Sequence, residues 1–559
     1  MKLRDEGLVT CDVLIVGGGG AALRAAIEAK KIGVDVLVAS KSKVGYANNT
    51  YISASAFAAS GLRGSEDRFQ VHLKDTVMGG RFINDQKMVA VVAGEAKAQV
   101  EFLGSHGVEF AKKDGYIQIA RAPGHSHARH VRTDPSIGST YMVPLKKAAQ
   151  NLGVRFADRV FVTRLFETDG RITAASAVTD DGGFVVFRAK CVILTTGGYA
   201  QIYRYTDNAA GITGDGQALA YDLGVGLRDM EFVQFYPTSA GKLGNRPILY
   251  EAIVFRDGAR LKNARGEDIL EKYELADPMV VTRDRLSRAV MNEIIQGLDV
   301  DGGVILDLNP ASDEALKRVQ SLLESKWSVR PKEIIVSPTT HFCMGGIVVN
   351  PDAETSIPGL FAAGEVCGGV HGANRLAGNA LTEVWVMGGI AAKMAAKKAQ
   401  AVEIPDMPVG ALADEKVRLE SLTSQKDRNL QDLIRSVKRV MWLNVGIIRD
   451  QASLNDALTQ IQEIRFLSKR TAMGAVNDLK RYLELQNMLL ISEMVCRASL
   501  MRTESRGSHY RSDFPDEDNI NWLENIVVRK TPDGMSLERA PVPFDLISFE
   551  EMLQAKPAA

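Results

Sequence analysis

Cysteine is scarce in this 559-residue chain: five in all, at Cys11, Cys191, Cys343, Cys367 and Cys496, each far from the next. That spacing excludes a disulfide framework, and it offers neither a local zinc site nor the grouped thiolates that hold an iron–sulfur centre. No metal site is expected. An excess of one charge is missing as well. Lys plus Arg and Asp plus Glu number 68 each, so nothing in the balance directs the chain to nucleic acid or to an anionic membrane surface, and any anion site must be local. Long apolar runs are absent too. The opening "MKLRDEGLVTCDVLIVGGGG" passes from charges to a short apolar run, Val13 to Val16, too brief for a signal segment, and no later run is long enough to span a bilayer. The expectation is a cytoplasmic chain whose only membrane association would come through partner subunits. What the sequence does have is size and apolar mass, 45% hydrophobic residues, enough to bury the cores of two to four domains.

Organisation follows from texture. Apolar strands alternate with small-residue helices up to about Gly224, which is α/β character. From Glu251 to about Lys332 glycine thins out and charged helical stretches such as "DEALKRVQSLLESKW" take over, as in an inserted second domain. The glycine-rich texture then returns and closes at a proline-containing joint, "AVEIPDMPVGALAD". Asn429 to Thr503 has apolar residues at i, i+3 and i+4 with few breakers, which predicts a helical domain. The polar tail from Ser505 to Ala559, with Pro515, Pro532, Pro541 and Pro543, is expected to wrap the surface.

The first chemical motif is "CDVLIVGGGGAALRAAIEAKKIGVDVLVASK". A strand from Cys11 to Val16 meets Gly17, Gly18, Gly19, Gly20, Ala21 and Ala22, which fit G-x-G-x-x-[G/A], and an alanine-rich helix follows. Gly17 permits the tight turn, Gly19 lets the backbone approach a pyrophosphate, and the helix N-terminus supplies amide donors with a partial positive charge. The acidic residue that would hold an adenosine ribose at the end of the second strand is absent. Ser40 and Lys41 stand there, which argues against NAD.

Farther on, "VILTTGGYA" (192–200), "TGDG" (213–216) and "GLFAAGEV" (359–366) each pair apolar or small residues with glycine. Any one is an ordinary strand-ending turn. Together they suggest one extended cofactor touched by several segments, and FAD fits this better than a nicotinamide, with Glu365 or Asp215 taking ribityl or ribose hydroxyls. Just downstream, "HGANRLAGNAL" sets Arg375 among Gly, Ala and Asn. A guanidinium there can fork onto a carboxylate while small neighbours let a flat substrate lie close to the flavin; alone, it could equally be a structural ion pair.

The ordered series "VGGGGAA", "HLKDTVMGG", "TGDG", "DMEFVQFYPT", "RDRLSR", "HFCMGGI", "AAGE", "HGANRLAGNAL" and "RTESRGSHYRSDFP" resembles the flavoprotein subunit of the succinate dehydrogenase/fumarate reductase family, in the same superfamily as L-aspartate oxidase and adenylylsulfate reductase. The resemblance runs from about residue 10 to 525. It implies an α/β fold: a Rossmann-like FAD-binding domain in two parts (1–235 and 341–412), an inserted α+β capping domain (236–340), a C-terminal helical domain (413–520) and a tail (521–559). It implies FAD contacts at Gly17 to Ala22, Ser40 and Lys41, at Asn49 and Thr50, at Asp215 and Glu365, and at Asn379, Ala380 and Leu381. Arg375 becomes the substrate-carboxylate arginine and His341 the histidine at the substrate's other end. Arg283 becomes the proton donor to the substrate carbon as hydride passes from flavin N5, a role composition alone would not suggest for an always-protonated arginine. Glu251, with Arg256 nearby, would refill it. The implied activity is a fumarate reductase/succinate dehydrogenase-like oxidoreductase that interconverts an unsaturated and a saturated dicarboxylate, with a separate iron–sulfur subunit as electron partner, near which "RTESRGSHYRSD" could lie.

Departures from the family pattern qualify this. Asn49 stands where the family's flavin-linking histidine belongs, so FAD is expected to be non-covalent and of lower potential, favouring alkene reduction. Tyr236 replaces a substrate-binding histidine, Tyr250 replaces the threonine before Glu251, and Val254 stands where the relay arginine belongs. Two tyrosines can still hydrogen-bond a carboxylate but reshape one end of the pocket, which leaves a reductase of a related enoic acid open. An L-aspartate oxidase-like reading shares "GHSHAR" (124–129) but finds Ala122 where that enzyme's glutamate for the amino group belongs.

Overall fold

In the computed structural model the described residues are 2–62, 66–241, 248–249, 258–275, 281–313, 316–317, 319, 332–422, 430–470 and 476–554. Strand β1 (Arg4–Val16) enters the core at Cys11, and helix α1 (Gly20–Ile32) returns the chain to strand β2 (Val36–Ser40), parallel to β1 with Val13 opposite Val36. All five residues of β2 are buried, as a parallel strand covered on both faces requires. The sheet runs Arg155–Asp158, β2, β1, Gly183–Leu194, Arg171–Thr179, Val160–Thr168, with Leu360–Ala362 adding in parallel to the end of Gly183–Leu194.

Small residues let α1 lie tightly against the long helix Asn379–Ala401. A Cβ at Gly388 would come within 3.0 Å of the Ala21 carbonyl oxygen, and one at Gly389 within 2.6 Å of the Arg24 guanidinium. Alanine at Ala22, Ala25 and Ala26 leaves room for that approach.

A second sheet, antiparallel throughout, runs Val233–Ala240, Glu333–Cys343, Val304–Asp307, Arg260–Lys262. It has its own apolar core around Leu261, Ile269, Leu306 and Val336, and helix Arg283–Ile295 packs on it. This α+β unit is the cap, entered and left by the two strands that also carry site residues. The "DEALKRVQSLLESKW" stretch lies mostly outside the described residues.

The C-terminal part is helical as its periodicity predicts, with helices Leu430–Asn444, Gln451–Ser468 and Val476–Met501. Leu430, Leu433, Val437, Val440 and Met441 form the buried stripe of the first. The tail differs from the expected surface wrap: Glu524–Thr531 and Gly534–Pro541 form a hairpin that joins Leu227–Arg228 and Gly346–Ile347 in a four-stranded sheet. Alternating residues such as Ile526 and Val528 bury one hairpin face, which the prolines had masked in the sequence. Among the described residues no helix is long and apolar enough to cross a membrane.

Candidate active site

The nucleotide end is built by the β1–α1 turn. Gly17 has φ +126°, and a Cβ there would lie 2.4 Å from the Thr195 carbonyl oxygen. A Cβ on Gly18 would meet the Ser40 hydroxyl at 2.7 Å, whereas around Gly19 nothing lies nearer than 3.8 Å, so a phosphate can approach there. Gly19 caps α1 without a side-chain hydrogen bond, leaving first-turn amides toward a ligand. The Gly20 amide donates to Thr50 Oγ1 at 3.3 Å, and Ser40 is buried beside the turn. This combination fits a dinucleotide pyrophosphate.

Lys41 and Asp215 find each other: Nζ lies 2.6 Å from the Asp215 carboxylate and 2.8 Å from Glu484 of the third C-terminal helix. Burial works against the ammonium, but the two carboxylates outweigh it and hold its pKa above the ordinary lysine value. Asp215 also accepts from Thr213 at 2.8 Å and from Asn487 at 2.9 Å.

Glu365 is buried, accepts from the Cys343 amide at 3.2 Å and from the Asn49 side-chain amide at 3.1 Å, and burial pushes its pKa up to about 7. Asn49 further donates to Asn208 at 2.6 Å and accepts from the Ala209 amide at 2.9 Å. Ala380 and Leu381 lie in the first turn of Asn379–Ala401, whose Gly378 cap also lacks a side-chain bond. Asn379, also expected at the cofactor, is the first residue of that helix. Its side chain is turned to Thr76 and His72, both at 2.9 Å, because a buried amide beside an apolar helix face must pair with the nearest polar groups.

A second group of side chains, those expected at the substrate, gathers at the cap strands. Arg375 is buried, with Cζ 4.7 Å over the Phe342 ring, and Nη2 donates to Gln234 Oε1 at 3.0 Å. The same oxygen accepts from Arg283 Nη1 at 3.3 Å. Arg283, first residue of its helix, lies with Cζ 4.6 Å over the Tyr236 ring, and Tyr236 in turn meets the His341 ring edge-on at 5.1 Å. His341 Nδ1 is 2.6 Å from Asp207. That carboxylate fixes the proton on Nδ1, while burial and the two nearby arginines keep the imidazole pKa below its usual value despite the pull of Asp207. Arg283, Tyr236, His341 and Arg375 are thus brought into one cluster. Tyr250, Glu251, Val254 and Arg256 lie outside the described residues.

Two participants escaped the sequence reading. Gln234 donates to the Asn374 side chain and to the Arg375 carbonyl, both at 2.8 Å, so one carboxamide organises both arginines. A glutamine in an otherwise apolar strand, "FVQFY", was the available signal. Asp207 gave none, being one acid in a polar turn. The "RTESRGSHYRSD" stretch is largely buried. Arg502, Glu504, Arg506, His509 and Arg511 are buried; Arg502 pairs with Glu231 and Glu504, Arg506 with Glu504 and Arg511 with Asp513, while the Ser508 hydroxyl donates to the Ala373 carbonyl at 3.0 Å and braces the Arg375 loop from behind.

Comparison with known proteins agrees with this layout. A family profile described as FAD binding domain matches residues 12–381, and one described as fumarate reductase flavoprotein C-term matches 434–557. The chain is 37% identical to an uncharacterised FAD-dependent oxidoreductase of Methanocaldococcus jannaschii, over 93% of this chain and 96% of that one. It is 33% identical to one of the subunits of the fumarate reductase (CoM/CoB) of Methanothermobacter marburgensis, over 94% and 98% of the two chains. The solved E. coli quinol fumarate reductase chain superposes with a TM-score of 0.91 at 28% identity, over 97% and 98%.

Proposed function

Because this chain belongs to the fumarate reductase/succinate dehydrogenase flavoprotein family of FAD-dependent oxidoreductases, we propose that it reduces the double bond of a fumarate-type dicarboxylate. The observation that carries this reading is the sharing of Gln234 Oε1 by Arg283 and Arg375. Two guanidiniums converging on one neutral acceptor concentrate positive charge at that point, and a substrate carboxylate is the group that charge suits. FAD, when bound, supplies hydride at N5. Arg375 orients one carboxylate by bidentate hydrogen bonding, and His341, held by Asp207, binds at the other end. Arg283 stabilises charge developing on the carbon chain and gives up a proton to it. Refilling Arg283 is assigned to Glu251, with Arg256 near it in the sequence.

Tyr236 favours a second reading, a related enoic acid, because its buried ring lies between Arg283 and His341 and occupies space along the substrate. An aspartate oxidase-like activity is less well supported, since Ala122 offers no carboxylate for an ammonium group. Asn49 supports a non-covalent flavin: an amide nitrogen lacks the nucleophilic lone pair that a histidyl link requires. A separate iron–sulfur protein as electron partner is supported by the scattered, buried cysteines.

Replacing Arg283 by Ala tests the assignment. Turnover is expected to fall by at least about three orders of magnitude, as for loss of a transition-state charge and proton donor, with the yellow cofactor still bound. Loss of FAD instead would overturn the role given to Arg283.

A further inference from the structure

Resting on the reading of Arg375 as the substrate-carboxylate ligand, we propose that His125 and His130 are positioning residues for that arginine: two neutral imidazoles grip the Ala377 carbonyl and so set where the guanidinium sits. His125 Nε2 is 2.8 Å from the Ala377 oxygen and His130 Nε2 is 2.7 Å from it. A carbonyl oxygen has two lone pairs, and here both are taken by ring N–H donors.

The protonation state follows from the neighbours. Arg129, fully buried, makes a two-pronged bond to Asp67 at 2.8 Å on each prong, and its third nitrogen lies 2.7 Å from Asp75 and 3.0 Å from His125 Nδ1. A guanidinium only donates, so His125 Nδ1 must be the acceptor and its proton must sit on Nε2, facing Ala377. An imidazolium in that place would present a second positive charge to Arg129. Burial moves both histidines well below their usual pKa, His130 to about 3.

What the grip controls is read from the loop. Gln234 holds the Arg375 carbonyl at 2.8 Å. Leu376 is seated where a Cβ on Gly79 or on Gly124 would come within 2.6 or 2.7 Å of it. Gly378 is held so close that a Cβ would meet His130 Nε2 at 2.6 Å. With residues 375, 376 and 377 each fixed from a different segment, the arginine leaves a backbone that cannot slide. The chain of contacts Asp67, Arg129, His125, Ala377 therefore reaches the carboxylate site although neither histidine is assigned to the substrate or cofactor.

The test titrates malonate, an unreactive dicarboxylate, into the FAD-loaded full chain and follows the flavin spectrum, with KM and kcat for the active acid measured alongside. His130→Phe keeps the ring and removes the donor. It is expected to weaken malonate binding and raise KM by about ten- to a hundredfold, as small misplacements at a site do, with FAD content unchanged. In His130→Gln the amide nitrogen reaches where Nε2 stood, and binding is expected to recover; His130→Asn falls short and should not recover it. If the phenylalanine variant fails to fold, the Gln and Asn pair decides: equal malonate affinities overturn the proposal, as does native affinity in His130→Phe. Arg375→Ala separates the two levels. If it binds malonate as the native chain does, or if the native chain does not bind malonate, the dicarboxylate reading falls and the proposal with it; if only the histidine variants behave as native, the proposal alone falls.

Discussion

Tyr236 is fully buried with Arg283 over its face and His341 at its edge, so on the proposed reading its ring shapes the end of the site that receives the acid. Tyr236→His puts the family's imidazole back at that end of the site, and is expected to change the ratio of kcat/KM for fumarate against bulkier enoic acids by about tenfold in favour of fumarate. Equal changes for all acids would remove Tyr236 from specificity. Glu365 gives a prediction in pH. Its folded pKa is raised by burial to about 7, so the native state holds a proton that the unfolded chain releases near pH 4.5. Its stabilising contribution is complete below about 4.5 and is lost as pH rises through about 7, with a slope of at most about 1.4 kcal/mol per pH unit. Denaturant unfolding of the FAD-free protein should show that decline, and Glu365→Gln should flatten it. Asp229, also held near 7 by burial and by Glu231, contributes in the same direction and leaves a residual slope.

Elements explain which residues could be read in advance. The β1–α1 turn was legible because its requirement is backbone geometry: Gly17 at φ +126° against the Thr195 carbonyl leaves no other residue. Gly17→Ala is therefore expected to cost about 2 kcal/mol or more in strain and to lower FAD occupancy, read as flavin absorbance per chain after desalting and as a lower Tm. Arg375 and His341 could be singled out because the motifs that carry them, a loop and a strand end, come in a recognisable order. Gln234 and Asp207 were not, because their roles exist only once the strand Val233–Ala240 meets the Arg375 loop and the turn before Ala209 meets His341. The pairing of Asn379 was hidden for the same kind of reason, since its amide answers Thr76 and His72 on a helix some three hundred positions earlier. The hairpin of the tail was hidden by Pro532 and Pro541, which sit at its turn and end.

At the scale of the whole molecule, three regions each contribute what the others lack. The mixed sheet offers the dinucleotide turn at its parallel strands β1 and β2. The cap brings Arg283, Tyr236 and His341 on its helix and its two boundary strands, with a separate apolar core that lets it hold its own shape. The helical part adds Glu484 and Asn487 to the Lys41–Asp215 pair and Ser508 to the Arg375 loop, so the nucleotide end and the substrate end are both braced from the same side. On the proposed reading, reducing equivalents enter at a bound flavin and leave on a dicarboxylate gripped by arginines. The most direct test is anaerobic: reduce the flavin of the purified chain, add fumarate and a panel of related enoic acids, and follow reoxidation at the flavin's visible absorption band. Rapid reoxidation by fumarate or by one of its relatives, abolished in Arg375→Ala, is the expected result; a reduced flavin that responds to none of them would contradict the account.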